Sequence, residues 1–219
     1  MARPVALPAV IRGLGALLAL LLVPACGGKA GPDAVSRPPP TWQREVREPD
    51  RKRLATLWSA WTRSLNEVQA AGQGAEIAAL GDLLVPDAAR AAPPPAPGTY
   101  RCRTIKLGVR AIGAVPGRGR ALDIAPVRPC TIAARGGLLW FEQIGGPQRV
   151  AGLLYPDRER VVFLGSIALE AENRILPYGA DNDRDQVGAL RAYGADRWRL
   201  ELPWPMWQSN LTIIEILPG

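Results

Sequence analysis

The spacing of hydrophobic residues divides the chain into a leading apolar run, a helical segment and a longer strand-like segment. The run covers 14–23 without a polar residue other than glycine. Apolar residues then recur with a helical period, at Leu54, Leu57, Trp58, Trp61, Leu65 and Val68. This spacing predicts an amphipathic helix that begins with an N-cap at Asp50 and ends at Gly72. A second, shorter helix is predicted over 75–84.

From residue 100 onward, β-branched and aromatic residues occur in short runs bounded by turn residues. The predicted strands are 100–107, 129–134, 138–144, 148–155, 160–168, 187–193, 197–202 and 210–217. The joins between them are short, which lets consecutive strands pair antiparallel. The pattern predicts an α+β, mainly β fold: an antiparallel meander of about eight strands, forming a small barrel or strongly curled sheet with the helices packed on it. No strand is assigned within 108–128.

Length and composition indicate one folded domain with flanking segments, because 219 residues with 47% apolar content can form one sizeable core. Four segments are assigned. These are a signal peptide (1–25), a lipid-anchored flexible tether (26–49), a helical segment with a Pro-rich connector on the same domain (50–98) and an antiparallel β domain (99–219).

The amino terminus predicts export and lipid anchoring. The apolar run is too short to cross a bilayer and is typical of a signal-peptide core. Val23-Pro24-Ala25-Cys26 resembles the lipobox of bacterial lipoproteins, in which cleavage before Cys26 precedes lipidation of its thiol. Gly27, rather than aspartate, follows, and by resemblance to sorting in double-membrane bacteria this favours the outer membrane, facing the periplasm. The alternative is plain secretion after cleavage behind Ala25.

Cys102 and Cys130 are the two cysteines that remain once Cys26 is assigned to lipid. In an oxidising compartment we expect them to form a disulfide, the alternative being two free buried thiols. The chain has no histidine, and two cysteines alone do not make a zinc site. No metal and no cofactor is therefore predicted.

The net charge of +7 does not indicate a nucleic-acid partner. The arginines are scattered among acidic residues, and no Lys/Arg-rich block is present. The expected partners are the membrane, through the lipid anchor, and an envelope protein or polymer.

Three acidic residues alternate in the loop GADNDRDQVG, namely Asp181, Asp183 and Asp185. Ala192 stands where an EF-hand needs its glutamate, so that signature fails. We expect a structured turn in which aspartates bind backbone amides and Arg184 pairs locally. An irregular calcium site is the alternative.

Two further groups of residues are candidates for binding. Arg101 and Arg103 share one face of the first predicted strand, where they could hold an anion or pair with nearby acids. Trp204 and Trp207, in the segment PWPMW, could contact a partner or close one end of a barrel.

Four stretches carry a family resemblance: GTYRCRTIKLG, GGPQRVAGLLYPDRERVVFLG, YGADNDRDQVG and RWRLELPWP. Together they resemble the family called domain of unknown function 4893, whose members are predicted secreted or lipid-anchored envelope proteins. The resemblance extends over about 51–218. It implies no activity, cofactor or catalytic residue.

Two functions follow from these observations. The absence of histidine excludes imidazole as a general base, and cysteines joined in a disulfide are not nucleophiles. The favoured hypothesis is a non-catalytic cell-envelope lipoprotein whose disulfide-stapled β domain binds a protein or an envelope component. The alternative is a cation-assisted hydrolase of an envelope polymer that uses Asp181, Asp183 and Asp185.

Overall fold

A computed structural model describes residues 40–110 and 119–219. The expected signal peptide, the expected lipidation site Cys26 and most of the expected tether lie outside these residues. So does the central part of the 108–128 segment. The described residues belong to one compact unit.

Short helices precede the sheet. They are α1 (Trp42–Glu45), α2 (Glu48–Ala55), α3 (Leu57–Ala70) and α4 (Gly74–Ala79), followed by 3₁₀ turns at Gly81–Leu84 and Pro86–Ala88. The expected tether therefore ends earlier than residue 49, because α1 and the start of α2 fall inside it and Val46 is buried against the domain. In the described residues, no helix is long and apolar enough to cross a membrane.

The single long helix predicted from Asp50 is instead two helices. Asp50 is not an N-cap: α2 begins at Glu48, with Pro49 in its first turn, where proline needs no hydrogen-bond partner. The Asp50 side chain is buried instead. The helix breaks at Thr56, whose hydroxyl donates to two carbonyls of the preceding turn and so competes with the backbone ladder. Gly72, with φ +76°, follows the end of α3 as predicted.

Within residues 40–110 and 119–219, nine strands form the sheet. They are β1 (Gly98–Leu107), β2 (Leu122–Ile124), β3 (Arg128–Arg135), β4 (Leu138–Gln143), β5 (Gln148–Pro156), β6 (Val161–Leu169), β7 (Asp185–Gly194), β8 (Arg197–Pro203) and β9 (Leu211–Pro218). The eight predicted strands are confirmed. Only β2 was missed, since three residues are too few to show a period of two.

The meander closes into a barrel because β1 pairs with strands on both of its edges. On one edge it pairs with β9 over its last eight residues, from Tyr100 to Leu107. On the other edge its first half pairs with β3 and its second half with β2. The fold is a closed eight-stranded antiparallel barrel with one extra strand, which confirms the predicted fold class.

Successive side chains of a strand point to opposite faces of the sheet, and this alternation separates two apolar clusters. The side chains that share the Cys102 face fill the barrel interior, including Phe141 and Phe163, which meet edge to face at 6.3 Å. The opposite face of several strands is covered by the helices, with Trp61 buried at the contact. The predicted disulfide is confirmed: Cys102 and Cys130 are bonded inside the barrel, with Cα atoms 5.8 Å apart.

Candidate functional site

One end of the barrel interior is polar, whereas its centre is apolar. The strand pairings place six polar side chains on the inward face near this end, which we call the mouth. They are Thr104 and Lys106 on β1, Gln143 on β4, Gln148 on β5, Gln186 on β7 and Thr212 on β9. Polar side chains that converge inside a barrel mouth are the usual pattern of a ligand site.

Lys106 is the charged residue of this group. Its ammonium donates to Oε1 of Gln148 at 2.7 Å and also to Oε1 of Gln208. Burial lowers the pKa of Lys106, and the charge of Asp123, its cross-strand neighbour, acts in the opposite direction. Among the described residues, no acid lies within salt-bridge distance of Lys106. The mouth therefore holds a half-buried cation bound to neutral amides.

Gln143 organises the polar side chains beside Lys106. Its Nε2 donates to Oγ1 of Thr104 at 2.9 Å, and its Oε1 accepts the backbone N–H of Val150 at 3.1 Å. Both ends of this buried amide are thereby bound. The fixed orientation of Gln143 holds Thr104 at the wall of the mouth.

The turn between β8 and β9 covers part of the mouth. Pro205, Met206 and Trp207 line the cavity from this turn. The guanidinium of Arg184 lies 5.4 Å from the Trp207 ring centroid, and the same guanidinium pairs with Glu172 at 2.9 Å. The contact from Arg184 holds the indole against the barrel end.

Two adjoining cavities open around these side chains. One extends under Trp207 and has a volume of about 30 Å³, and the other extends towards Arg128 and Gly146 and has a volume of about 110 Å³. Thr104, Lys106, Gln143 and Gln148 line both cavities. This space holds several water molecules or one small group of a larger ligand.

The three aspartates of the acidic loop do not converge on one point. Asp185 is buried, its Oδ1 accepting the backbone N–H of Gly179 at 2.8 Å while Oδ2 lies 3.5 Å from Arg47. Burial raises the pKa of Asp185, although these two contacts oppose the rise. Asp181 instead accepts the N–H of Asp183 at 2.9 Å in a local turn. No group of three acidic or cysteine side chains suited to a metal ion occurs in 40–110 and 119–219.

Arg101 and Arg103 have different partners. Arg103 pairs with Glu215 at 2.7 Å, and Glu215 also accepts the hydroxyl of Tyr193. Burial and the Glu215 carboxylate raise the pKa of Tyr193. Arg101 is exposed and donates to the carbonyl of Pro218 at 3.0 Å. The two guanidinium groups therefore do not act on a common point.

Of the two candidate tryptophans, only Trp207 belongs to the mouth. Trp204 packs on the helical side, where its Nε1 donates to the hydroxyl of Thr56 at 2.9 Å. Its backbone has φ +48°, which turns the chain sharply at the end of β8. The PWPMW segment thus closes a barrel end with one indole and contacts the helices with the other.

Lys106 and the three glutamines were absent from the candidates named from sequence. A signal was available, because Lys106 lies four residues after Cys102 and shares its face of β1. Once Cys102 is assigned to the interior, Lys106 must also point inward. The glutamines carry no comparable signal, since only closure of the barrel brings their strands to β1.

Comparison with known protein families gives a match over most of the described residues. The sequence profile called Domain of unknown function (DUF4893) matches residues 42–216. The chain belongs to the DUF4893 family. The match covers the helices and all but the last two residues of β9, so the mouth of the barrel lies within the family domain. No curated protein and no solved structure matches the chain.

Proposed function

We propose that this DUF4893 protein is a non-catalytic lipoprotein of the cell envelope, anchored at the outer membrane, and that its barrel binds an envelope component at the mouth. The observation that carries the proposal is the pocket around Lys106. Its polar groups are amides, hydroxyls and one ammonium. This set recognises a ligand by hydrogen bonds and charge, and it lacks the paired acid and base of a hydrolytic site.

Two further features support the location. The disulfide between Cys102 and Cys130 is typical of a protein folded in an oxidising compartment. The lipobox-like sequence ending at Cys26 supports anchoring by several acyl chains, and such an anchor is stable because each buried methylene contributes about 0.8 kcal/mol.

The anchoring half of the proposal is tested with Cys26→Ser. The wild-type protein, expressed with its own amino terminus, should enter the detergent-rich phase of a phase-separating extraction, whereas Cys26→Ser should stay in the aqueous phase. A Cys130→Ser variant controls for loss of a cysteine that is not lipidated. Equal partitioning of the wild type and Cys26→Ser would refute lipid anchoring.

The binding half is tested by photo-crosslinking in intact envelopes. A photoreactive residue at Met206 lies at the mouth, and one at Asp196 lies in the β7–β8 turn at the opposite end of the barrel. A discrete adduct is expected from position 206 and none from position 196. The same adducts from both positions, or none from either, would contradict binding at the mouth.

A further inference from the structure

A cavity on the outer face of the barrel, which we call the side cavity, shares no lining residue with the mouth. Its volume is about 470 Å³, whereas the larger cavity at the mouth has about 110 Å³. Three aromatic side chains line it: Trp140 on β4, Tyr155 on β5 and Tyr178 between β6 and β7. Trp140 and Tyr155 point outward because their chain neighbours, Phe141 and Leu154, lie in the barrel interior. A cavity of this size is typical of a small-molecule site.

The three rings line the side cavity and leave it open. In the described part of the chain, no two of them pack against each other. The indole Nε1 of Trp140 donates to Oε2 of Glu142 at 2.9 Å, and the Tyr178 hydroxyl donates to Oδ2 of Asp50 at 2.7 Å. Two of the rings are thus held in place without a ligand, which lowers the entropy cost of binding one. The electron-rich faces of such rings attract cations.

One carboxylate lines the side cavity beside the aromatic rings. Glu45, the last residue of α1, lies close to Tyr155. Burial raises the pKa of Tyr155, and the charge of Glu45 raises it further. Among the described residues, Glu45 has no ion-pair partner. Neither Arg44 nor Arg47 lines the cavity, and the Arg47 guanidinium is bound to Asp185 instead.

One guanidinium also lines the side cavity. That of Arg135 lies 4.2 Å from the ring centroid of Trp140, so one face of the indole already holds a cation. Arg135 is exposed and has no ion-pair partner within residues 40–110 and 119–219, Glu45 included. Its N–H groups are available to an anion. The cavity thus presents a carboxylate and a guanidinium that are not paired with each other, and a zwitterion complements both.

The walls indicate which cationic group fits. Apolar surface beside the rings is supplied by Leu153, Leu164, Ile175 and Pro177. A primary ammonium has three N–H donors, and an apolar wall leaves donors without acceptors, which is costly. A quaternary ammonium has no N–H donor, and its methyl groups pack against apolar and aromatic surface. The side cavity therefore favours a quaternary ammonium over a primary one.

We propose that the side cavity binds a zwitterion with a quaternary ammonium group, such as a betaine or a phosphocholine group. The ammonium lies against Tyr155 and Tyr178 beside Glu45, and the anionic group binds Arg135. This inference does not rest on the proposed function, because it concerns a different surface of the barrel and requires no lipid anchor.

The test is calorimetric titration of the full chain in a neutral maltoside detergent at low ionic strength. The probes are glycine betaine and phosphocholine. Each is compared with a carbon isostere of the same shape that lacks the positive charge, namely 3,3-dimethylbutanoate and 3,3-dimethylbutyl phosphate. A zwitterion should bind at one site per chain and at least about tenfold more tightly than its isostere. No binding of either zwitterion, or equal affinity for a zwitterion and its isostere, would overturn the proposal.

Two exposed residues of the side cavity provide variants that should fold normally. Glu45→Gln should weaken binding of the zwitterion at least about fivefold, while Glu48→Gln, at an exposed glutamate of α2, should leave it unchanged. Arg135→Gln should weaken binding of phosphocholine but not that of choline, which has no anionic group. Wild-type affinity in Glu45→Gln, or an equal loss for choline and phosphocholine in Arg135→Gln, would contradict the assigned positions.

The two probes also distinguish the sources of the zwitterion. Glycine betaine represents a free solute, and phosphocholine represents a lipid headgroup. The tighter binder of the two identifies the source, and either result supports the inference. Crosslinking from position 206 reports on the mouth alone, so its failure would contradict the proposed function and leave the side cavity unaffected. Failure of both probes would overturn this inference and leave the proposed function in place.

Discussion

Arg199 and Glu201 form an ion pair that is completely buried between the barrel and the helical segment. Nε of Arg199 lies 2.6 Å from Oε1 of Glu201, and both side chains are 0% exposed. The guanidinium also donates to the carbonyls of Leu83 and Val85, at 2.8 Å each. Arg199 therefore fastens the 3₁₀ turns to the outer face of the barrel, and its charge depends on Glu201.

Glu201→Gln should lower the free energy of unfolding by about 3 kcal/mol, because it leaves the buried guanidinium of Arg199 without a counter-charge. Urea unfolding at pH 7 measures the change. Glu48→Gln is the matched control, since Glu48 forms only exposed pairs, and it should change stability by less than about 0.5 kcal/mol. Similar small losses in both variants would show that the buried pair does not fasten the helices.

Replacement of both Cys102 and Cys130 by alanine should lower the free energy of unfolding by about 3 to 4 kcal/mol. The bond closes a loop with a sequence separation of 28 residues and so restricts the unfolded chain. Denaturant unfolding of the double variant and of reduced wild type should give the same shift. Alkylatable thiols at both positions in exported wild-type protein would contradict the disulfide.

Gly165→Ala should lower the free energy of unfolding by about 3 kcal/mol, which is the upper end of the usual cost of adding a methyl group to a packed interior. Gly165 lies opposite Gly152, and a Cβ at Gly165 would lie 2.2 Å from the carbonyl oxygen of Ala151. Gly98→Ala is the control, because its Cβ would have no neighbour closer than 3.6 Å. Thermal melts of both variants check the difference, and equal melting temperatures would contradict it.

Calcium should not change the melting temperature of the wild-type protein. Asp185 is bound to Gly179 and Arg47, and Asp181 to the backbone of Asp183, so their carboxylates do not converge on one ion. Melts in millimolar calcium and in chelator are expected to coincide, and Asp183→Asn should behave in the same way. A calcium-dependent rise that disappears in Asp183→Asn would favour the cation-assisted hydrolase.

The stability of the wild-type protein should rise with pH more steeply than that of Lys106→Met in alkaline solution. Burial lowers the pKa of Lys106 in the folded state, so between this pKa and the ordinary value of 10.5 the unfolded chain binds more protons. The penalty for the buried charge is present at neutral pH and disappears as the pH approaches 10.5. Urea unfolding at pH 7, 9 and 10.5 measures the difference, with Lys52→Met as the control. Parallel pH profiles for wild type and Lys106→Met would contradict the burial of Lys106.

The candidate site shows which functional residues the local sequence pattern could identify and which it could not. Trp207 was recognised because Pro and Trp residues in a short join stand out in the sequence, and the structure places it at a barrel end. Arg103 was recognised as a possible anion ligand, but Glu215, 112 residues away, occupies it. Lys106 was overlooked because a lysine on a strand is ordinarily a solvent-facing residue.

The sequence by itself determined eight of the nine described strands, the order of helices and sheet, and the disulfide. The strands and helices follow from periodicity and turn residues, which act over short distances along the chain. The disulfide follows from the number of cysteines. Only the tertiary structure decided that β1 meets β9, that Arg199 is buried under the helices, and that Lys106 points into a shared mouth. Each of these requires strands distant in the chain to become neighbours, and the free energy of burying a charge depends on those neighbours.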